Sequence, residues 1–298
     1  METLNIERDT ISLEFRDDEF LNTAFKIKMQ SPHGTISYLV PTLDDAGNMS
    51  LNVQHRMVEA SGYETSSTTS KESLADLSRF NIDAEGEIIK AIDNESLITS
   101  QRRLKSIYYD LGKKSRMGSY GKWKSFLNKH LGIDFPLYVS DDEDICKKIF
   151  LLSNLIAAGS RRGPANFIIV SGGMWARIAL DPSCVIYENN NDSVPFIRPV
   201  GNIANKINVF VDSSTSFNNG LIIMGIKTES PYPGVLFGQY SREVLKIDSY
   251  DPFSFLPNVE YKLIERYALR DFGDPEKCYY TNEILNEKKP LWRRLIGA

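Results

Sequence analysis

From Phe25 onward, apolar and polar positions alternate along the chain. Phe25, Ile27 and Met29 fall two apart, and two further extended runs, residues 35–40 and 50–58, flank a turn-like DDAGN at residues 44–48. A period of two belongs to a strand, whose successive side chains point to opposite faces, so the pattern predicts a long β-hairpin. Few of its positions look fully buried, which suits a loop that projects from the body and rests on a neighbour. Ahead of it, residues 1–23 mix charges with isolated apolar residues and show little periodicity, so they read as an extended arm.

After a small, polar stretch at residues 61–73 that reads as a connection, the period changes. Ile88, Ile92, Ile98, Leu104, Tyr108 and Leu111 approximate helical spacing. Asn81 and Asp83 are candidate caps, and Asp83, Glu85 and Glu87 suit the positive end of a helix dipole. Gly112 supplies the expected stop, so a long helix is predicted over residues 81–112, followed by irregular structure with one short helix over 115–139. A second helix is signalled by a capping box at residues 140–143 (SDDE) and an apolar stripe of Ile145, Ile149, Leu152 and Ile156, with Gly159 as its closing glycine.

Beyond the loop SRRG, residues 167–170 (FIIV) predict a buried strand. A helix is expected from Met174 to Leu180, then two strands in INVFVD (207–212) and GLIIMGIK (220–227). Residues 277–298 read as a strand-poor tail with a short helix near Trp292.

A chain of 298 residues, 42% of them hydrophobic, can bury a sizeable core. The formal net charge is -4, and the basic residues are scattered as pairs such as Arg102-Arg103 and Arg161-Arg162. A sequence-specific nucleic-acid binder concentrates positive charge on one face, so that class loses ground. The first ten residues carry acids and no apolar core of a signal peptide, and no window has the roughly 18 to 20 apolar residues that span a bilayer; no membrane partner is expected, and synthesis in the cytoplasm is.

Signatures of catalysis are missing. No GxGxxG, Walker loop, HExxH, GxSxG or CxxC is present. Cys146, Cys184 and Cys278 lie far apart and read as incidental thiols, and His33, His55 and His130 lack the spacing of a triad. The paired glycines Gly172-Gly173 read as a tight strand-to-helix turn, and the acidic run at 141–144 as helix capping. No cofactor, metal or catalytic residue is implied.

One stretch specifies a turn with unusual care and places no chemistry in it: residues 249–269, SYDPFSFLPNVEYKLIERYAL. The order Asp251-Pro252, Ser254-Phe255, Pro257, then Arg266-Tyr267-Ala268-Leu269 resembles the C-terminal part of the major capsid proteins of T-even-type tailed bacteriophages. SPYPGVLFGQY (230–240), VGNIANKINVFVD (200–212), RRGPANFIIVS (161–171) and IDAEGEIIKAI (82–92) resemble further segments of that family, in family order.

The resemblance implies an α+β, Hong Kong 97-like major capsid protein fold. It divides the chain into an N-terminal arm (1–24), an E-loop hairpin (25–60), a peripheral domain with its spine helix (61–171), an axial domain (172–229), return strands of the peripheral domain (230–271) and a C-terminal tail (272–298). It implies a non-enzymatic shell protein of the virion that forms hexamers and pentamers around double-stranded DNA without sequence-specific binding. Scaffolding, portal and decoration or vertex proteins are the further partners expected. Asp44, Asp45, Gly47 and Asn48 at the hairpin tip are the candidate inter-subunit residues. Asp251, Pro252, Phe255, Pro257, Arg266 and Tyr267 are the candidates for the defining turn and strand, with Pro252 and Pro257 restricting φ beside the phenylalanines and Arg266 in a surface salt bridge. Two alternatives stay open at this point: an encapsulin-like compartment of the same fold, and a soluble α/β enzyme using residues such as Asp248, Asp251 and Arg266.

Overall fold

The structure, a computed structural model, describes residues 8–43, 49–131, 137–139, 145–187, 196–214, 221–229, 232–250, 255–273 and 275–286. In chain order the elements are β1 (Arg8–Ser12), β2 (Phe25–Lys28), β3 (His33–Leu43), β4 (Met49–Glu59), β5 (Ser61–Ser70), α1 (Lys71–Arg79), α2 (Ala84–Leu131), β6 (Leu137–Val139), α3 (Ile145–Ser160), β7 (Phe167–Ser171), α4 (Gly172–Ile178), β8 (Cys184–Ile186), β9 (Ile197–Ile203), β10 (Ile207–Asp212), β11 (Leu221–Gly225), β12 (Gly234–Tyr250), β13 (Pro257–Phe272) and β14 (Tyr279–Asn286). They form two compact units, one of residues 1–104 and 229–273, the other of residues 105–228 and 274–298.

The first unit is built on the antiparallel pair β12–β13, which runs from Gly234↔Phe272 to Tyr250↔Pro257 with one bulge at Tyr240. β5 extends the sheet on the β13 side, and β1 and β2 both pair with β12 on the other. Along β13 the alternation is strict: Val259, Tyr261, Leu263, Glu265 and Tyr267 are buried, and the residues between them are not. The first half of α2 covers that face, with Ile92, Ser96, Ser100 and Leu104 buried at four-residue intervals. Ile92 joins Val244, Val259, Tyr261 and Leu263 in one apolar cluster. The helix begins where Asp83 Oδ1 accepts the Gly86 N–H at 3.0 Å, and Glu85 and Glu87 sit in its first turn.

The hairpin β3–β4 is paired from His33↔Glu59 to Leu43↔Met49. At its base Ile36, Tyr38 and Val58 pack with Met29, Leu236, Ala268 and Phe272. Tyr38 meets Phe272 edge-on at 5.2 Å, and Gly273, at φ +70, passes so close that a Cβ there would lie 2.7 Å from the Tyr38 ring.

The second unit holds a seven-stranded mixed sheet in the order β6-β14-β11-β7-β10-β9-β8. Central β7 is buried at all five positions, as a strand covered on both faces must be. Ile168 and Val170 face the stripe Ile145, Ile149, Leu152 and Ile156 of α3 together with Met174 and Ile178 of α4. On the other side Phe167 lies 5.2 Å from Tyr108 of α2, which stacks on Tyr279 at 4.9 Å.

Several expectations are corrected. Gly112 does not stop α2, which continues to Leu131 through the span expected to be irregular. Glycine in a helix interior costs about 1 kcal/mol relative to alanine, a penalty that weakens a helix without by itself ending it. Residues 61–70, read as a connection, form an edge strand in ladder with β13, and α1 follows with Ser70 Oγ accepting the Ser73 N–H. Gly159 lies inside α3, and the left-handed closing residue is Arg161 at φ 56, its N–H bonded to Ala157 O at 2.9 Å. α4 starts at Gly172, capped by Ser171, two residues earlier than expected. The tail is not strand-poor, since β14 pairs with β11 and β6. Residues 8–24, the described part of the expected extended arm, pack on their own unit, where Phe20 and Leu21 are fully buried. The capping box at 140–143 and Trp292 lie outside the described residues.

Candidate inter-subunit contact surfaces

The hairpin has two unlike faces because its register places every second side chain on the same side. Ile36, Tyr38 and Val58 turn inward. The opposite side carries Leu51, Val53 and Met57, which are 53%, 59% and 80% exposed. His55 stands among them with its Nδ1 2.8 Å from Ser37 Oγ, a hydrogen bond to a hydroxyl and no triad. A row of exposed apolar side chains on a two-stranded ribbon is a contact surface awaiting cover. The tip residues Asp44, Asp45, Gly47 and Asn48 lie outside the described residues.

A second apolar group is exposed where β12 turns into β13. Tyr250 is 63% exposed, Phe255 78% and Leu256 50%. Phe255 holds φ 55, an uncommon value for an aromatic residue, and Pro257 opens β13. Asp251 and Pro252 lie outside the described residues. The turn therefore displays aromatic surface at the end of a long ribbon.

Arg266 and Tyr267 point to opposite faces of β13. Arg266 is exposed, and among the described residues no ion pair reaches it. Tyr267 is buried: its ring lies 4.4 Å from Tyr63 and 5.2 Å from Phe237, and Ser100 Oγ donates to its hydroxyl at 3.2 Å. Burial pushes its phenol up from the ordinary value. Asp248 pairs with Lys71 at 2.6 Å, and it sits seven ladder positions along β12 from Ser241, the register partner of Arg266. At roughly 3.3 Å per residue the two are some 23 Å apart and share no site.

The charges that are buried serve the fold. Arg16 Nε lies 2.7 Å from Glu265 Oε1, and its terminal nitrogen lies 2.8 Å from Asp93 Oδ1. Arg242 joins the same two carboxylates, Ser96 Oγ donates to Glu265 Oε2 at 2.7 Å, and Arg242 donates to Glu14 O at 2.8 Å. Burial, then the neighbouring Arg16, lowers the Arg242 guanidinium to about 10. Two cations face two anions, so the arrangement is neutral overall, although Asp93 Oδ1 and Arg242 Nε are held by charge and not by a formed hydrogen bond. Sequence spacing holds no trace of it, because its members come from residues 14–16, α2, β12 and β13. Among the described residues no three of His, Cys, Asp or Glu are grouped to hold a metal ion, and no helix is long and apolar enough to cross a membrane.

Comparison with known proteins accounts for a chain rich in surfaces and poor in chemistry. The family profile described as major capsid protein Gp23 matches residues 37–274. No curated protein sequence matches significantly. Among solved structures, a protein of Microbacterium phage Oxtober96 superposes with a TM-score of 0.53 at 12% identity, covering 96% of this chain and 96% of the other. A protein of Mycobacterium phage Adephagia gives 0.52 at 8% identity over 94% and 93%. These likenesses speak for the fold, the α+β Hong Kong 97-like architecture. The profile spans well over half of the chain and carries the function. The chain therefore belongs to the Gp23 major capsid protein family, as a structural, non-enzymatic protein of the virion shell.

Proposed function

We propose that the first unit is the peripheral domain and the second the axial domain of a subunit that closes into hexamers and pentamers. Rings of six or five use one pair of unlike patches repeatedly, so the subunit needs one surface to offer and another to receive. The single observation that supports this reading is the exposed row Leu51, Val53 and Met57 on the hairpin. In the shell it lies over the adjacent subunit as the E-loop, with Asp44, Asp45, Gly47 and Asn48 at its tip.

Each such contact is modest, and the closed shell is stable through many made at once. The turn bearing Tyr250, Phe255 and Leu256 supplies a further contact between subunits. Double-stranded DNA is enclosed without sequence-specific binding, consistent with a net charge of -4 and scattered basic pairs. Scaffolding, portal and decoration or vertex proteins are the remaining partners in this reading. Family membership favours a phage shell over a cellular compartment.

The test is deletion of residues 42–49. Electron microscopy and light scattering should find the full chain in rings or closed shells, and the deleted chain folded but dispersed. Normal particles from the deleted chain would overturn the E-loop assignment.

A further inference from the structure

Sheet edges are open templates, and proteins keep them short, charged or covered. Among the described residues the outermost strands β1, β6 and β8 of the two larger sheets show five, three and three residues. β5 is the exception. It runs ten residues, SGYETSSTTS, in unbroken register with β13 from Ser61↔Tyr267 to Ser70↔Asn258. It contains no lysine, proline or bulge. Its one charged residue, Glu64, is turned onto Lys262 at 2.6 Å, and Ser61, Gly62, Glu64, Ser66 and Thr68 are exposed. Among the described residues its outer backbone edge has no hydrogen-bonded partner.

We propose that β5 is a two-fold assembly edge, pairing antiparallel with β5 of a second copy so that two sheets become one. This rests on the capsid-subunit reading, which makes further copies the partner present in excess. The strand is also complementary to itself. In a shell both copies keep the same face outward, so the two-fold axis stands perpendicular to the sheet. Each residue then meets one of like parity. A pairing centred on Glu64 sets two carboxylates opposite each other, which is destabilising. Centring on Thr65 or Ser66 instead places Glu64 opposite the partner's Ser66 or the partner's Thr68, with about nine residues of overlap. Every pair then contains a Ser or Thr, and two of the five in either register have one on both sides, a hydrogen-bonding cross-strand pairing.

Such a contact is isologous and cannot build a ring of six or five; it joins ring to ring. Ser66→Glu discriminates. Within one chain the new carboxylate faces Lys262, its register partner, so the fold tolerates it. Between copies it faces the partner's Glu64 or its own counterpart. The expected result is rings of unchanged size with loss of closed shells, in a chain whose thermal melt matches the parent. A second measurement uses Thr65→Cys and Ser66→Cys separately in a Cys184→Ser background. A residue paired with itself across the axis has a Cα separation of about 4.5 or 5.5 Å, within disulfide reach, so oxidised shells of one of the two variants should run as covalent dimers. Closed shells from Ser66→Glu, or no dimer from either cysteine variant in intact shells, would overturn the two-fold edge alone. A parent chain that forms neither rings nor shells would overturn the capsid-subunit reading and this proposal with it.

Discussion

Lys105 Nζ lies 2.5 Å from Asp212 Oδ2, and the side chain of Asp212 has no exposed surface at all. The carboxylate ends β10, where its other oxygen accepts the Ser214 N–H at 2.8 Å. A buried carboxylate is stable only while its charge is answered, so Lys105→Met should cost about 3–5 kcal/mol in chemical denaturation, the usual loss when one partner of a buried pair is removed. The double variant Lys105→Met with Asp212→Leu should recover most of that loss, because no unpaired charge remains. Equal costs for the single and double variants would show that the pair does not hold this part of the second unit.

The segment around Arg16 makes a parallel case in the first unit. Its guanidinium donates to Glu265 and to Asp93 O and is ion-paired with Asp93 Oδ1. Arg16→Met leaves two carboxylates facing Arg242 alone, and a loss of about 3–5 kcal/mol is expected. Removing residues 1–17 should be worse, since β1 and the backbone acceptor at Glu14 go with it. If a chain so shortened melts with the parent, the segment is dispensable to folding and free to act as an exchangeable arm.

Asp18 predicts a dependence on pH. Its oxygens accept from the Leu21 N–H at 2.9 Å and from Gln101 Nε2 at 3.1 Å, yet burial raises its carboxyl above the ordinary 3.8. A raised folded value means that the native state binds the proton more tightly than the unfolded chain does. The contribution is fully present below pH 3.8 and is lost as pH rises through the folded value. Asp18→Asn carries no charge at any pH and keeps an acceptor for Leu21. It should therefore raise the denaturation midpoint at pH 7 and lose that advantage near pH 3. An advantage that does not change between the two would exclude titration of Asp18 as its cause.

What was legible along the chain was what a single element reveals by itself. The stripe Ile145, Ile149, Leu152 and Ile156 marks α3 without help, and the alternation of the hairpin marks β3 and β4. β5 was illegible because Ser and Thr carry no hydrophobic period; the strand exists because β13 offers it a ladder. The length of α2 is hidden because Gly112 carries the signal of a helix stop although the helix runs through it to Leu131. The Arg16, Asp93, Arg242 and Glu265 arrangement could not be read, since spacing carries information only within one element. The same holds for the exposed row on β4: alternation shows that two faces exist, and only packing at the base shows which is left open.

Gly225 tests how closely the core of the second unit is packed. It ends β11, between Phe167 of β7 and Tyr279 of β14 in the ladder. A Cβ added there would lie 2.5 Å from the Phe167 ring and 2.6 Å from the Tyr279 ring. Neither ring can withdraw, because Tyr108 lies 5.2 Å from the first and stacks on the second at 4.9 Å, and all three are buried. Overpacking of this kind costs about 1–3 kcal/mol, so Gly225→Ala should lower the melting temperature. Combining it with Phe167→Leu separates space from backbone freedom. The smaller side chain relieves the Phe167 contact and leaves only that of Tyr279, so part of the cost should return, even though Phe167→Leu alone is destabilising. Costs that simply add would place the effect at the Tyr279 contact or in the backbone of β11, and not at Phe167.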